Sequence, residues 1–483
     1  MRTAALLRLL GLLMAMSSLM CVPALLIAWL GGEALAMVFA ASFLAMLAGG
    51  LILWWPVRKA DYELRLRDGF LITALSWVLV AVLAAIPLYF ALPELGLTRA
   101  VFEATSGITT TGATVITGID RLPASLKFYR QTLNFVGGMG IVVLAVAILP
   151  MLKVGGMQLM GAERAAAPSR DSKFTPRITE TAKALWAIYL VLTLTCALAY
   201  WAAGMDLFDA VGHSFSTIAT AGFSTHDASI GHYDSPLIEA VAVVFMMVGA
   251  VNFALHYRAW RRASNAHYFG DPELRVLLGV AAGVAAITTL GLWAAGTYED
   301  RFTAFRHALF HTVSHITTTG YGTTDFYNWP VALAFLMILV AVVGGCGGST
   351  AGGLKVIRII VLFKQGMLEL TRVIHPKAQL LLKVGNATVP VLVSSAVLAY
   401  FTLFVVSLAL LTLMLAALGL DLVSAGSAAA ACLLNLGPAL GAAGPHYRDL
   451  PEAALWLLSF AMLLGRLEFF TLLVLLTPGF WRS

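Results

Sequence analysis

Apolar runs long enough to cross a lipid bilayer recur along the whole chain. A hydrocarbon core of about 30 Å takes roughly 20 apolar residues in a helix. Uncharged windows of that kind cover residues 9–32, 34–57, 69–93, 184–205, 276–298 and 384–420. Four more, 131–152, 240–255, 331–354 and 453–480, are nearly as clean, the last interrupted by Arg466 and Glu468. The pattern predicts ten spanning helices. Arg2 and Arg8 precede the first window as they would in a signal peptide, but its apolar run outlasts an h-region and no A-x-A site closes it. It reads as a retained span.

Composition agrees. Of the 483 residues 60% are hydrophobic and only 12% charged, with a mean hydropathy of +0.87, which excludes a disordered chain and a cytosolic enzyme. Cys21, Cys196, Cys346 and Cys432 all lie in apolar runs and form no C-x-x-C pair, so neither a disulfide nor a zinc framework is expected. The net charge of +6 shows no basic cluster with interleaved aromatics, so no nucleic-acid partner is implied. The basic residues instead sort by side. The amino terminus, 56–69, 153–183, 258–275, 355–383 and the carboxyl terminus hold 23 of the 31 basic residues and 9 of the 25 acids, a balance of +14. The opposite connections carry 7 basic and 15 acidic residues, or −8. By the positive-inside rule the first set, with both termini, is expected in the cytoplasm.

Between paired spans lie four segments too polar to cross and too apolar to be plain loops: VFEATSGITTTGAT (101–114), VGHSFSTIATAGFS (211–224), LFHTVSHITTTGYG (309–322) and GSAAAACLLNLGPA (426–439). They align on Gly112, Gly222, Gly320 and Gly437, at spacings of 110, 98 and 117 residues. Six residues earlier stand Ser106, Ser216, Ser314 and Ala431; two earlier stand Thr110, Thr220, Thr318 and Asn435. Each unit reads as helix, half-helix ending in Thr-x-Gly, extended stretch, helix. The expected architecture is an all-α integral membrane protein, an amino-terminal helical hairpin (1–69) followed by four membrane-helix/pore-loop/membrane-helix repeats (70–152, 153–257, 258–366 and 367–483) around a pseudo-fourfold pore.

Non-helical backbone survives at membrane depth only where protein buries it or it lines water. Four copies can surround one axis, and rings of backbone carbonyls and Thr hydroxyls replace the hydration shell of K⁺. Glycine reaches the required dihedrals without a Cβ clash. Thr318-Thr319-Gly320-Tyr321-Gly322 differs by one residue from the TVGYG filter of K⁺ channels.

On these segments, the run GGCGGSTAGGLK and the terminal LLGRLEFF, the chain resembles the Trk/Ktr/HKT superfamily of potassium transport proteins, in particular its TrkH-type bacterial membrane subunits. The resemblance implies that K⁺ is the transported ion, with no other cofactor. It implies a filter of Thr110, Thr111, Gly112; Thr220, Ala221, Gly222; Thr318, Thr319, Gly320; and Asn435, Leu436, Gly437. Some sodium-conducting members carry serine at a filter glycine; here all four are glycine, which favours K⁺. It also implies a bacterial inner-membrane location, a homodimer in the lipid bilayer and a separate cytosolic nucleotide-binding ring of the TrkA type. The basic loops 153–183 and 355–383 are the expected docking surfaces for that ring.

Two features suggest a gate. Residues 344–353 hold Gly344, Gly345, Cys346, Gly347 and Gly348, and six of these ten residues are glycine. At about 1 kcal/mol lost per glycine relative to alanine, the helix is expected to unwind there. The alternative is a glycine packing face. Arg466, near the middle of a span, must face protein or water, and Glu468, two residues on, is a poor helical partner. The resemblance places both beneath the filter, as an intramembrane loop and a barrier.

His307, His311 and His315 repeat every fourth residue, but His311 aligns with His213 and Glu103, which favours a polar packing position over a metal site. The competing function is a cation symporter with alternating access, coupled to protons or sodium. It would favour two inverted repeats with charged midplane residues over four repeats of one orientation.

Overall fold

The computed structural model describes residues 3–59, 66–144, 174–261, 264–378, 380–385 and 387–481. Most of the 153–183 loop therefore lies outside the described residues. Apart from a two-residue antiparallel pair, Lys383–Val384 with Ala387–Thr388, the described fold is helical. Six helices are long and apolar enough to cross a membrane: Ala4–Leu30, Ala36–Val57, Asp68–Ala91, Ala182–Ala202, Pro272–Ala294 and Val391–Ala417. Only 22–39% of their most apolar stretches is buried, so they turn leucine, valine and tryptophan side chains outwards, as contact with hydrocarbon demands.

Each of the four units begins with one of these peripheral helices and then folds back as a half-helix: Gly96–Ile108, Leu207–Ile218, Arg301–Ile316 and Leu422–Leu433. Three half-helices start on an aspartate. Asp206 accepts a hydrogen bond from Phe208 N, Asp300 from Thr303 N, and Asp421 from both Val423 N and Ser424 N. These carboxylates satisfy amide groups that a helix start leaves open, and their charge suits the positive end of the helix dipole.

The lining helix that closes each unit departs from a simple span. In unit one, Ala124–Val143 carries Arg130, Gln131 and Asn134 buried against the half-helices. In unit two, Pro236–Gly249 and Phe253–Arg261 meet at 93°; in unit four, Glu452–Arg466 and Phe469–Leu476 meet at 113°. In unit three, Val331–Ala341 gives way to a loop before Val356–Ile374. The ten windows of the sequence thus divide into six continuous spans and four lining segments that are polar or broken. The reason is backbone chemistry: a break at membrane depth needs another break to bond with. Cys346 N donates to Ala250 O (2.8 Å) and Phe253 N to Gly348 O (3.1 Å), so the loop of unit three satisfies the bend of unit two.

The column of Glu103, His213 and His311 props the stretch that follows each Thr-x-Gly. Glu103 accepts from Val115 N (2.9 Å) and Thr114 Oγ1, His213 bonds Ser224 Oγ (2.9 Å), and His311 Nε2 accepts from Thr323 N (3.3 Å). His307 bonds Thr323 Oγ1 and His315 bonds the His311 carbonyl, so the three histidines form a buttress. Glu103 also pairs with Arg130 at 2.9 Å, both fully buried, and Arg130 reaches on to Ser224 O in unit two.

Removing one partner of a buried pair strands the other charge. Glu103→Ala is expected to lose about 3–5 kcal/mol of stability, and Glu103→Leu with Arg130→Met clearly less than the sum of the single changes. Thermal unfolding of purified protein in detergent checks this, and additive losses would mean that the pair is not coupled.

Candidate functional site

The four half-helices end at Ile108, Ile218, Ile316 and Leu433, and the backbone then turns in the same way four times. Thr111, Ala221, Thr319 and Leu436 each donate their amide to the carbonyl five residues back, that of Ser106, Ser216, Ser314 or Ala431. This closes a wide turn on the backbone of the Ser/Ala column, whose four side chains are fully buried. Thr110, Thr220, Thr318 and Asn435 sit at φ of 50–54°, and Gly112, Gly222, Gly320 and Gly437 at 81–93°. A non-glycine residue at positive φ costs about 1–2 kcal/mol. That conformation at four equivalent positions marks a constraint shared by the segments.

The glycines also define a cyclic order. A Cβ on Gly112 would lie 2.2 Å from Ala221 O, one on Gly222 2.2 Å from Thr319 O, one on Gly320 2.2 Å from Leu436 O, and one on Gly437 2.5 Å from Thr111 O. Unit one therefore meets two, two meets three, three meets four, and four meets one. The ring closes through contacts that only glycine permits. All four glycines border one cavity of about 130 Å³, the mouth of the ring. The half-helices end at the ring with their carbonyl termini, each worth about half a negative charge, which favours a cation there.

Unit four departs from its siblings. Asn435 Nδ2 donates to Thr111 Oγ1 (3.0 Å) and to Met462 O (2.9 Å), ties that a threonine hydroxyl does not duplicate. Tyr447 donates to Gly437 O at 2.7 Å, and Tyr321 of unit three donates to His213 O of unit two at 3.1 Å.

Opposite the mouth, the loop 344–353 passes directly against the ring. Gly352 N donates to Thr318 Oγ1 (2.5 Å), and Gly353 N to Leu434 O (3.0 Å). Thr350 Oγ1 lies 3.2 Å from Thr220 Oγ1 and donates to Ile218 O at 2.9 Å. Arg466 covers the remaining segment, donating to Thr109 O (2.7 Å), Thr110 Oγ1 (2.5 Å) and Thr350 O (3.0 Å). The loop, Arg466 and Asn435's own amide thus take up the first ring position of every unit. Gly345, Cys346, Gly347, Gly348, Ser349, Thr350 and Ala351 form the body of this loop, with Gly344 at its start at a φ of 69°.

Glu468 pairs with Arg358 at 2.6 Å, and Arg358 lies over the Tyr400 ring. Among the described residues no carboxylate pairs with Arg466, whose charge is met by carbonyl and hydroxyl oxygens. A void of about 30 Å³ bordered by Ala351, Gly352, Lys355 and Arg466 lies behind the loop.

Several contributors carry no local signature in the sequence. Thr350 is one of two hydroxyl residues, with Ser349, in a glycine run. Glu273, a buried carboxylate at the start of Pro272–Ala294, accepts from Gly347 N at 2.7 Å and anchors the loop's far end. Gly137 and Gly465 let the lining helices of units one and four touch half-helix ends, where a Cβ would lie 2.2 Å from Ile108 O and 2.1 Å from Leu433 O. At the mouth, His226 bridges Asp120 (2.6 Å) and Asp209 (2.8 Å). Burial lowers its pKa, but the hydrogen bonds and charges of Asp209 and Asp120 outweigh this and hold it above the ordinary value.

Comparison with known proteins agrees with this geometry. Residues 35–481 match the family model described as TrkH, cation transport protein. The chain is 52% identical over 478 residues to the Trk system potassium uptake protein TrkH of Halomonas elongata, covering 99% of each chain. It is 47% identical over 481 residues to the protein of that name from Escherichia coli K12, again covering 99% of each. The crystal structure of the potassium transporter TrkH from Vibrio parahaemolyticus superposes with a TM-score of 0.93 at 45% identity, covering 100% of both chains. The chain belongs to the TrkH family of cation transport proteins; it is a multi-pass membrane protein of that family and not an enzyme.

Proposed function

We propose that the chain takes up K⁺ through the ring, with Thr110–Gly112, Thr220–Gly222, Thr318–Gly320 and Asn435–Gly437 as the filter. The observation that carries this reading is the closed cycle of four positive-φ segments, each glycine seated on its neighbour's carbonyl. Its relatives in H. elongata and E. coli bear the name potassium uptake protein. Carbonyl and hydroxyl oxygens replace water around a dehydrated cation, and the half-helix termini lower its energy there.

In this reading the loop 344–353 and Arg466 are the gate in its closed position. An ion leaving the filter meets backbone amides and a guanidinium instead of oxygens, and in a water-poor interior that repulsion is strong. Opening requires Thr350, Gly352 and Arg466 to release the first ring position. A cytosolic nucleotide-binding ring of the TrkA type would supply the pull, acting on a homodimer through the basic segments on the loop side. The bacterial inner membrane, with both termini in the cytoplasm, is the matching location, and the bias of basic residues supports it.

Flux of K⁺ and Na⁺ into proteoliposomes tests both parts. Gly320→Ser is expected to lower K⁺ over Na⁺ discrimination about tenfold, or about 1.4 kcal/mol. Unchanged selectivity in a variant that elutes as folded protein contradicts the filter assignment. Arg466→Ala is expected to raise K⁺ flux without the cytosolic ring about tenfold, a barrier lowered by about 1.4 kcal/mol; flux equal to that of the parent protein contradicts the barrier role.

A further inference from the structure

The mouth of the ring carries a cluster that conduction does not use. Asp120 lies in the turn after the unit-one segment; His226 and His232 follow the unit-two segment. One ligand atom from each of these three residues lies within 4.8 Å of the others. His226 and His232 stack at 3.5 Å with nearly parallel rings.

The frame around them is rigid. Asp227 accepts from Gly118 N (2.9 Å) and Asp120 N (3.2 Å), fastening the unit-one turn to unit two. Behind His226, the buried Asp209 bonds Nε2 at 2.8 Å and is itself held by Thr225 (2.6 Å) and Tyr233 (2.6 Å). A carboxylate so placed fixes the imidazole's tautomer and turns Nδ1 towards Asp120, the arrangement found behind metal-bound histidines.

We propose that Asp120, His226 and His232 bind one divalent transition-metal ion of the Zn²⁺ type and so clamp unit one to unit two at the mouth. Two imidazoles and a carboxylate suit Zn²⁺ better than Mg²⁺ or Ca²⁺. Metal–ligand bonds of about 2.0–2.2 Å require the three atoms to draw closer than they stand. Asp120 and His232 are exposed, Asp120 already reaching His226 Nδ1 at 2.6 Å, whereas His226 is half-buried and held from behind by Asp209. The fourth position is left to water. The metal takes the place of the proton between His226 Nδ1 and Asp120. Because His226 borders the cavity shared by the four glycines, a dication here repels K⁺ approaching the ring. That last consequence rests on the proposed transport function; the binding does not.

Equilibrium dialysis of full-length, tag-free protein against ZnCl₂ tests the site. One equivalent per chain is expected, with affinity lowered at least about tenfold by His232→Ala and by Asp120→Asn and unaltered by His375→Ala at an exposed histidine elsewhere. Equal zinc binding by the parent protein and His232→Ala, or no binding by the parent protein, overturns the proposal. In proteoliposomes with zinc on both sides, K⁺ flux is expected to fall for the parent protein and not for His232→Ala. Absence of flux before zinc is added would count against the transport function and leave the dialysis result standing.

Discussion

A peptide carbonyl at membrane depth must find a partner, and the whole architecture follows from how four groups of them do so. Each unit abandons its helix after the half-helix and exposes carbonyls that no intrahelical amide can satisfy. They are gathered into one ring, which in the proposed function offers them a dehydrated cation as partner. Helix termini, wide turns and positive-φ threonines serve that gathering. The glycines are its steric condition, since a single Cβ at any of the four would strike the next unit's carbonyl.

The same constraint shapes what lies around the ring. The bend of unit two and the loop of unit three are both breaks in helices, and they settle their open amides and carbonyls on each other. The loop is thereby bound on one flank to a bend, at its far end to Glu273, and on its upper face to Thr220 and Thr318. Apart from the Glu273 carboxylate, these partners of the loop are hydroxyl and backbone groups. Arg466 differs. Its charge lies against carbonyls that also attract cations, and the nearby carboxylate, Glu468, is engaged by Arg358.

Much of this is legible in the residues because one physical demand is imposed four times. Two columns of the repeat correspond to the residue whose carbonyl closes the turn and to the strained first ring position, and each half-helix ends between them on a buried isoleucine or leucine. Unit four keeps its glycine and loses its threonine, and only the contacts explain why: Asn435 bridges to Thr111 and Met462, far away in the chain. The ring's cyclic order, the partner of Glu468 and the anchoring of the loop by Glu273 are likewise long-range and leave no periodicity. The span count is overstated for unbroken helices because hydropathy responds to length and polarity and not to where a backbone bends. The histidine periodicity of 307, 311 and 315 marks a buttress, whereas the stacked pair His226 and His232 meets Asp120 from another unit, a juxtaposition with no periodicity.

The central claim is that cations occupy the line enclosed by the four segments, and anomalous diffraction from crystals in which Rb⁺ or Tl⁺ replaces K⁺ addresses it most directly. The account predicts anomalous peaks between the planes of Thr110 and Gly112 and of their counterparts in the other three units, lost on exchange for a non-permeant cation. A structure with these segments intact and no peak among them, or with its peaks elsewhere in the membrane region, contradicts it.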